Sequence, residues 1–184
     1  MRRDFSFVNR RVAGFFACSK LLSLTVFGFA VLAQPAMAGT FSAKVVSVTD
    51  GDTLTVMHDG AREKLILFGV DCPELGQEWG PQARKFTDDC CFGKVITIEE
   101  LGRDPRGRTI AVVHLPDGSN LNQKLVQQGL AWWSDKFAPD DAQLQQLHTV
   151  AKTNHLGLWS SPNPIPPWIF RNGERGVQAT IMPK

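Results

Sequence analysis

The feature that most restricts this chain is a pair of acidic clusters set on either side of a chain reversal. Asp50-Gly51-Asp52-Thr53 and Gly69-Val70-Asp71-Cys72-Pro73-Glu74 flank the turn His58-Asp59-Gly60. Asp-Gly between two apolar, β-branched runs is a hairpin signal, because the tight turn needs a positive φ at its central residues. Residues 53–57 and 64–70 therefore read as antiparallel strands whose far ends return to one another. Asp52 and Asp71 then meet at one end of a sheet. The run 64–70 is apolar at nearly every position, so burial on both faces is expected.

The rest of the chain supplies short strands and helices. Residues 41–48 alternate apolar and polar side chains, with Val46 and Val48 on one face. Gly80-Pro81 opens a helix, with proline where no amide donor is needed. Ala83, Phe86 and Cys90 give it an apolar face, and Gly93 closes it. Residues 95–100 and 109–115 are further strands, separated by the polar loop from Gly102 to Arg108. Asn122 is placed to cap a short helix through Leu125 and Val126. Asp140 and Asp141 head a third helix, with Leu144, Leu147, Val150 and Ala151 on one face. Five short strands and three helices predict an α+β molecule built on an OB-fold five-stranded β-barrel. A proline-rich tail follows, expected to pack through Trp168 and Phe170, with residues 172–184 loosely held.

Three divisions are expected: a leader over 1–38, a barrel domain over 39–160 and the tail over 161–184. Arg2, Arg3, Arg10, Arg11 and Lys20 precede the apolar run 21–33, and Ala36-Met37-Ala38 offers a small-x-small cleavage pattern. That run is shorter than a membrane span needs. Cleavage after Ala38 would place the mature chain in the periplasm or outside the cell. The leader holds five of the 20 Lys+Arg and one of the 18 Asp+Glu, so the mature chain carries a net −2. Nucleic-acid binding would then depend on a local basic face rather than on overall charge. Cys72, Cys90 and Cys91 match no zinc spacing. Cys90 and Cys91 read as small core residues at a helix end, and a bridge from Cys72 to one of them is left open.

Several polar residues admit two readings. Asp52 and Asp71 are hard oxygen ligands suited to Ca²⁺ or Mg²⁺, or they are ordinary turn residues. Glu74, after a rigid proline, suits a base acting on water, or a solvated loop acid. Arg103, Arg106 and Arg108 crowd one loop with the planar guanidinium groups that phosphate recognition favours, or form a solvated basic turn. Trp79, Trp132, Trp133 and Phe137 offer stacking faces for bases or pack helices on the barrel. Core suits Trp132, and Phe137 is the one placed near a substrate groove. The four histidines show no ligand spacing.

Taken together these segments resemble the thermonuclease, or staphylococcal-nuclease-like, family. The matching stretches are Asp50-Gly51-Asp52-Thr53, Gly69 through Glu74, Trp79-Gly80-Pro81 and Asp104-Pro105-Arg106-Gly107-Arg108. Leu125 through Ala131, Gly157-Leu158-Trp159 and Pro166-Pro167-Trp168 extend the likeness across most of the mature chain. The resemblance implies Ca²⁺ held by Asp52, Asp71 and the backbone carbonyl of Cys72, with Asp50 supporting it through water. It implies Glu74 as general base and Arg108 as the arginine that binds phosphate. It implies hydrolysis of DNA or RNA phosphodiesters, leaving 3′-phosphate ends; the protein is expected to be a monomer. One departure stands out: the family's other phosphate-binding arginine falls on Ile66, which cannot hydrogen-bond a phosphoryl oxygen. Lys64 on the same strand face lies about 7 Å further along, and Arg106 faces from the loop; both are candidate substitutes. A non-catalytic OB-fold module that binds nucleic acid is the alternative reading. A calcium-stabilised structural domain is a third.

Overall fold

A computed structural model describes residues 39–173. Five strands close a barrel: β1 (Thr40–Val48), β2 (Thr53–His58), β3 (Ala61–Leu67), β5 (Val95–Arg103) and β6 (Thr109–His114). Their order around the barrel is β1-β2-β3-β6-β5, closed by β5 against β1. All pairs are antiparallel except β3 with β6. This is the expected OB-fold barrel. Leu54, Leu65, Ile96, Ile98, Val45, Val56 and Val113 fill its interior, each under 2 % exposed. Each such side chain contributes about 1.5–3 kcal/mol of burial.

The hairpin forms as its sequence dictates. His58 pairs with Ala61, and Asp59 and Gly60 take φ of 47° and 78°. The third strand departs from expectation, because it stops at Leu67 and is buried on one face only. Leu65 and Leu67 point inward, while Lys64 is exposed and Ile66 half-buried. Gly69, at φ 74°, turns the chain out of the barrel. Val70–Asp71 then forms a separate short strand, β4, paired with β7 (Trp132–Trp133). The first strand also differs. Its pairing with β2 shifts register between Val45 and Ser47, so Val45 and Val48 are buried and Val46 only partly. A bulge inserts one residue and resets the alternation.

Helix α1 (Gly80–Cys91) buries Gly80, Ala83, Thr87 and Cys91, so its inner stripe runs one residue beyond Phe86 and Cys90. Helix α2 (Leu121–Gln127) is capped by Asn120, not Asn122. Asn122 is instead buried, accepting from the Val113 N–H and donating to the Phe68 and Ala111 carbonyls. Its oxygen and amide nitrogen are thus turned to three backbone groups inside the fold, away from the helix end. Helix α3 (Ala142–Thr153) starts at the Asp141 cap and buries Leu144 and Ala151, but leaves Val150 exposed. A 3-10 turn (Gly157–Ser160) follows, and a fourth helix not foreseen in the tail, α4 (Pro167–Arg171), ends the described fold. Cys72, Cys90 and Cys91 are free thiols. The expected leader, 1–38, and the end of the tail, 174–184, lie outside the described residues.

Candidate active site

Asp52 immediately precedes β2, and Asp71 lies in β4. The turn at Gly69 brings them together. The Cys72 N–H donates to Asp52 Oδ2 at 2.7 Å, and Thr53 Oγ1 donates to Asp52 Oδ1 at 3.1 Å. The Asp52 N–H in turn donates to Asp50 Oδ1 at 3.3 Å. Burial, then the nearby Asp50 and Asp71 charges, push the Asp52 carboxyl well above its ordinary value, against the pull of the Cys72 amide. Three carboxylates therefore crowd one end of the barrel.

Glycine makes this crowding feasible. A Cβ on Gly51 would lie 2.6 Å from Cys72 Sγ and 2.8 Å from Ala83 Cβ. Thr87 Oγ1 donates to the Gly51 carbonyl at 2.7 Å, fastening α1 to the Asp50–Asp52 turn. Gly80 does the same for the Glu74 loop, since a Cβ there would come 1.9 Å from the Glu74 carbonyl oxygen. Buried Gln77 completes that loop: its Oε1 accepts the Glu74 N–H at 2.9 Å, and its own N–H donates to the Glu74 carbonyl.

The residue that sequence reasoning missed is Arg171. Its guanidinium grips Asp71 with both ends, Nη1 to Oδ1 at 3.0 Å and Nη2 to Oδ2 at 2.7 Å, and Nη1 also reaches Glu74 Oε1 at 2.8 Å. Burial raises the Asp71 carboxyl above its ordinary value despite that pairing, with Glu74 and Asp50 adding to the rise. The half-exposed guanidinium pays less for desolvation and is held charged more firmly, chiefly by Asp71. The signal in the sequence was faint: a Pro-Pro-Trp helix start with one arginine in its last turn.

The other basic residues are placed differently. Arg108 Nε donates to Asp104 Oδ2 at 2.7 Å, and Asp104 Oδ1 accepts the Arg108 and Arg106 amides. Arg108 precedes Thr109, which stands beside Leu65 in the parallel β3–β6 pair, so the loop abuts the strand carrying Ile66. No bond joins Arg108 to Asp71 or Glu74. Arg103 is spent on Glu63 and Glu100. Arg106, Lys64 and Phe137 are exposed, and Lys136 Nζ sits 5.3 Å from the Phe137 ring centre. Trp132 is not fully interior; its ring packs against Trp159 and Trp168 at 4.4 and 5.5 Å.

The donor set suits a hard cation, since Asp50, Asp52, Asp71 and the Cys72 carbonyl all offer oxygen. Burial first and then repulsion from Asp50 and Asp71 disfavour the charged Asp52 carboxylate, and a bound cation would offset both. Against this, no group of three or more His, Cys, Asp or Glu side chains among the described residues is drawn together as a metal cluster. Arg171 engages both oxygens of Asp71, so a cation and this guanidinium share one carboxylate.

Comparison with known proteins agrees with this architecture. Residues 64–161 match the family model described as staphylococcal nuclease homologue. A protein of Escherichia coli O157:H7 described as an uncharacterized endonuclease is 33% identical over 153 residues, covering 83% of this chain and 97% of that protein. A Shigella flexneri protein named micrococcal nuclease is 34% identical over 156 residues, covering 80% of this chain and 89% of its own. Protein ParB of Escherichia coli is 31% identical over 150 residues, covering 77% and 84%. With the closed barrel, the paired acids and these matches in hand, the chain belongs to the staphylococcal-nuclease-like family.

Proposed function

We propose that this protein is an exported, calcium-dependent nuclease that hydrolyses DNA or RNA to 3′-phosphate products. The observation that carries the reading is the convergence of Asp52, Asp71 and Glu74 at one end of the barrel, in a chain of this family. Glu74 is the base. Its carboxylate takes a proton from water as the oxygen attacks phosphorus, the P–O5′ bond breaks, and the 5′-hydroxyl leaves with a proton from solvent. Gln77 and Gly80 fix the backbone from which Glu74 projects. Arg108, oriented by Asp104, binds a phosphoryl oxygen on which charge grows. Asp52, Asp71 and the Cys72 carbonyl would hold Ca²⁺, with Asp50 behind them. Bound there, the ion supplies charge stabilisation and lowers the cost of ionising water. The exposed Lys64, Arg106 and Phe137 are the further substrate contacts of this reading. Removal of 1–38 would deliver the mature chain beyond the inner membrane as a monomer. Among the described residues no helix is long and apolar enough to cross a membrane.

The test uses the mature protein, single-stranded DNA and calcium, with and without chelator, beside Glu74→Ala. Chelator-sensitive cutting is expected, reduced about 10²-fold or more in the variant, with 3′-phosphate ends by mass spectrometry. Calcium should also raise Tm by mass action. The half-buried, apolar Ile66 favours a second reading, a module that binds without cutting. Binding that persists with no cleavage would establish that reading instead.

A further inference from the structure

We propose that Arg171 is a substrate-binding residue of this site, the guanidinium that receives the scissile phosphodiester beside Glu74. The proposal rests on the nuclease reading above and adds to it a residue from the far end of the chain.

Its bonds to Asp71 and Glu74 use three of the five N–H groups that an arginine carries. The Nε–H and one Nη2–H are not committed to either carboxylate. The side chain is 47% exposed. It stands at the edge of an open depression of about 610 Å³ that Glu74, Leu75, Gly76 and Phe170 also line. A water deprotonated by Glu74 must lie about 3 Å from its carboxylate, and the phosphorus it attacks about 3–3.5 Å beyond. The oxygens of that phosphate therefore fall within reach of a guanidinium 2.8 Å from Glu74.

Charge points the same way. Asp50, Asp52, Asp71 and Glu74 repel an approaching phosphodiester, and Arg171 is the cation hydrogen-bonded at this edge. Arg108, held by Asp104 on another loop, has no bond to Asp71 or Glu74, so Arg171 adds a second guanidinium from the side of the base. A planar fork that is always charged suits two phosphoryl oxygens, where a point charge does not.

Nor is Arg171 loosely held. It ends α4, whose Trp168 packs on Trp132. Trp132 pairs by backbone with Asp71 itself. Gln77 Nε2 donates to the Ile165 carbonyl at 3.0 Å while its Oε1 accepts from Glu74. One side chain thus registers the approach to α4 against the loop that carries the base.

The experiment compares mature wild type with Arg171→Ala and Arg171→Lys. Affinity for a fluorescent oligothymidine is measured by anisotropy in chelator across a salt series, then cleavage is measured with calcium. Arg171→Ala is expected to weaken binding about tenfold and to flatten the slope of log affinity against log salt by about 0.7, one phosphate contact on a single strand. Its kcat should fall about 10²-fold, with partial recovery when guanidinium ion is added. Arg171→Lys should keep the salt slope and lose most of the rate. Unchanged affinity and slope in natively folded Arg171→Ala would overturn the proposal, leaving Arg171 as a counter-ion for Asp71 and Glu74. If Arg171→Ala does not fold, Arg171→Gln is read by the same slope. If wild type does not cut at all, the nuclease reading fails, and the chelator binding series still decides for or against Arg171.

Discussion

Ile66 shows how one side chain can set the power of a site. It pairs with Thr53 across β2–β3 and with Ile110 across β3–β6, on the outward face of the barrel. Directly paired residues stand about 5 Å apart, and Thr53 Oγ1 touches Asp52. An arginine at 66 would therefore project over the acidic end with no backbone change. Ile66→Arg should raise the cleavage rate about tenfold or more, measured at saturating single-stranded DNA. An unchanged rate would mean that another cation, Arg171 foremost, already serves that phosphate. The same scale explains Cys72. Its thiol is buried, and burial followed by the surrounding carboxylates holds it well above its ordinary value, so it stays neutral. It contributes packing under Gly51 and a backbone N–H and carbonyl.

At the scale of elements, the site depends on two places where backbone passes too close for a side chain. Gly51 lies against Cys72 and Ala83, and Gly80 against the Glu74 carbonyl. These contacts give a physical reason for Asp-Gly-Asp and Trp-Gly-Pro in the sequence. Gly80→Ala puts a methyl inside a backbone carbonyl that cannot move without carrying Glu74 with it. The expected cost is about 1–3 kcal/mol or more in chemical denaturation, and cleavage should fall further than stability alone explains. Retention of full activity would show that the Glu74 loop is not held in register by α1. The β4–β7 pair is the other device. It takes Asp71 out of the barrel sheet and sets it beside Trp132, and hence beside the helix that ends in Arg171.

For the whole molecule, a polar contact ties three neighbouring strands of the barrel together. Glu63 on β3 accepts from Thr109 on β6 and from Arg103 on β5. Burial alone would raise its carboxyl, but Thr109 and Arg103 outweigh that and hold it below its ordinary value of 4.5. A lowered value means that the charged form stabilises the fold. The contribution is complete above the ordinary value and disappears as pH falls through the lowered one. Arg103 is half-exposed, so the effect is discounted for solvent. Glu63→Gln should cost about 1 kcal/mol at pH 7, and the Tm gap from wild type should close in acid. A gap that widens below pH 4.5 would overturn that sign.

Much of this protein was determined by its sequence alone, because local rules act over a few residues. Asp59-Gly60 requires its turn, alternating apolar residues make the strands, and Asp141 caps its helix through a bond to Leu144. Those rules give the strands and the hairpin, while closure needs the long-range pairing of β1 with β5 and of β3 with β6. They misplace what depends on competition for partners. Asn122 satisfies the signal for a cap yet is taken by three backbone groups, and the apolar run through 70 is cut by Gly69. Only the tertiary structure brought Arg171 to Asp71, across 100 residues of chain. Nothing local records such a pairing; it goes with the packing of Trp168 on Trp132, in the short helix that ends at Arg171.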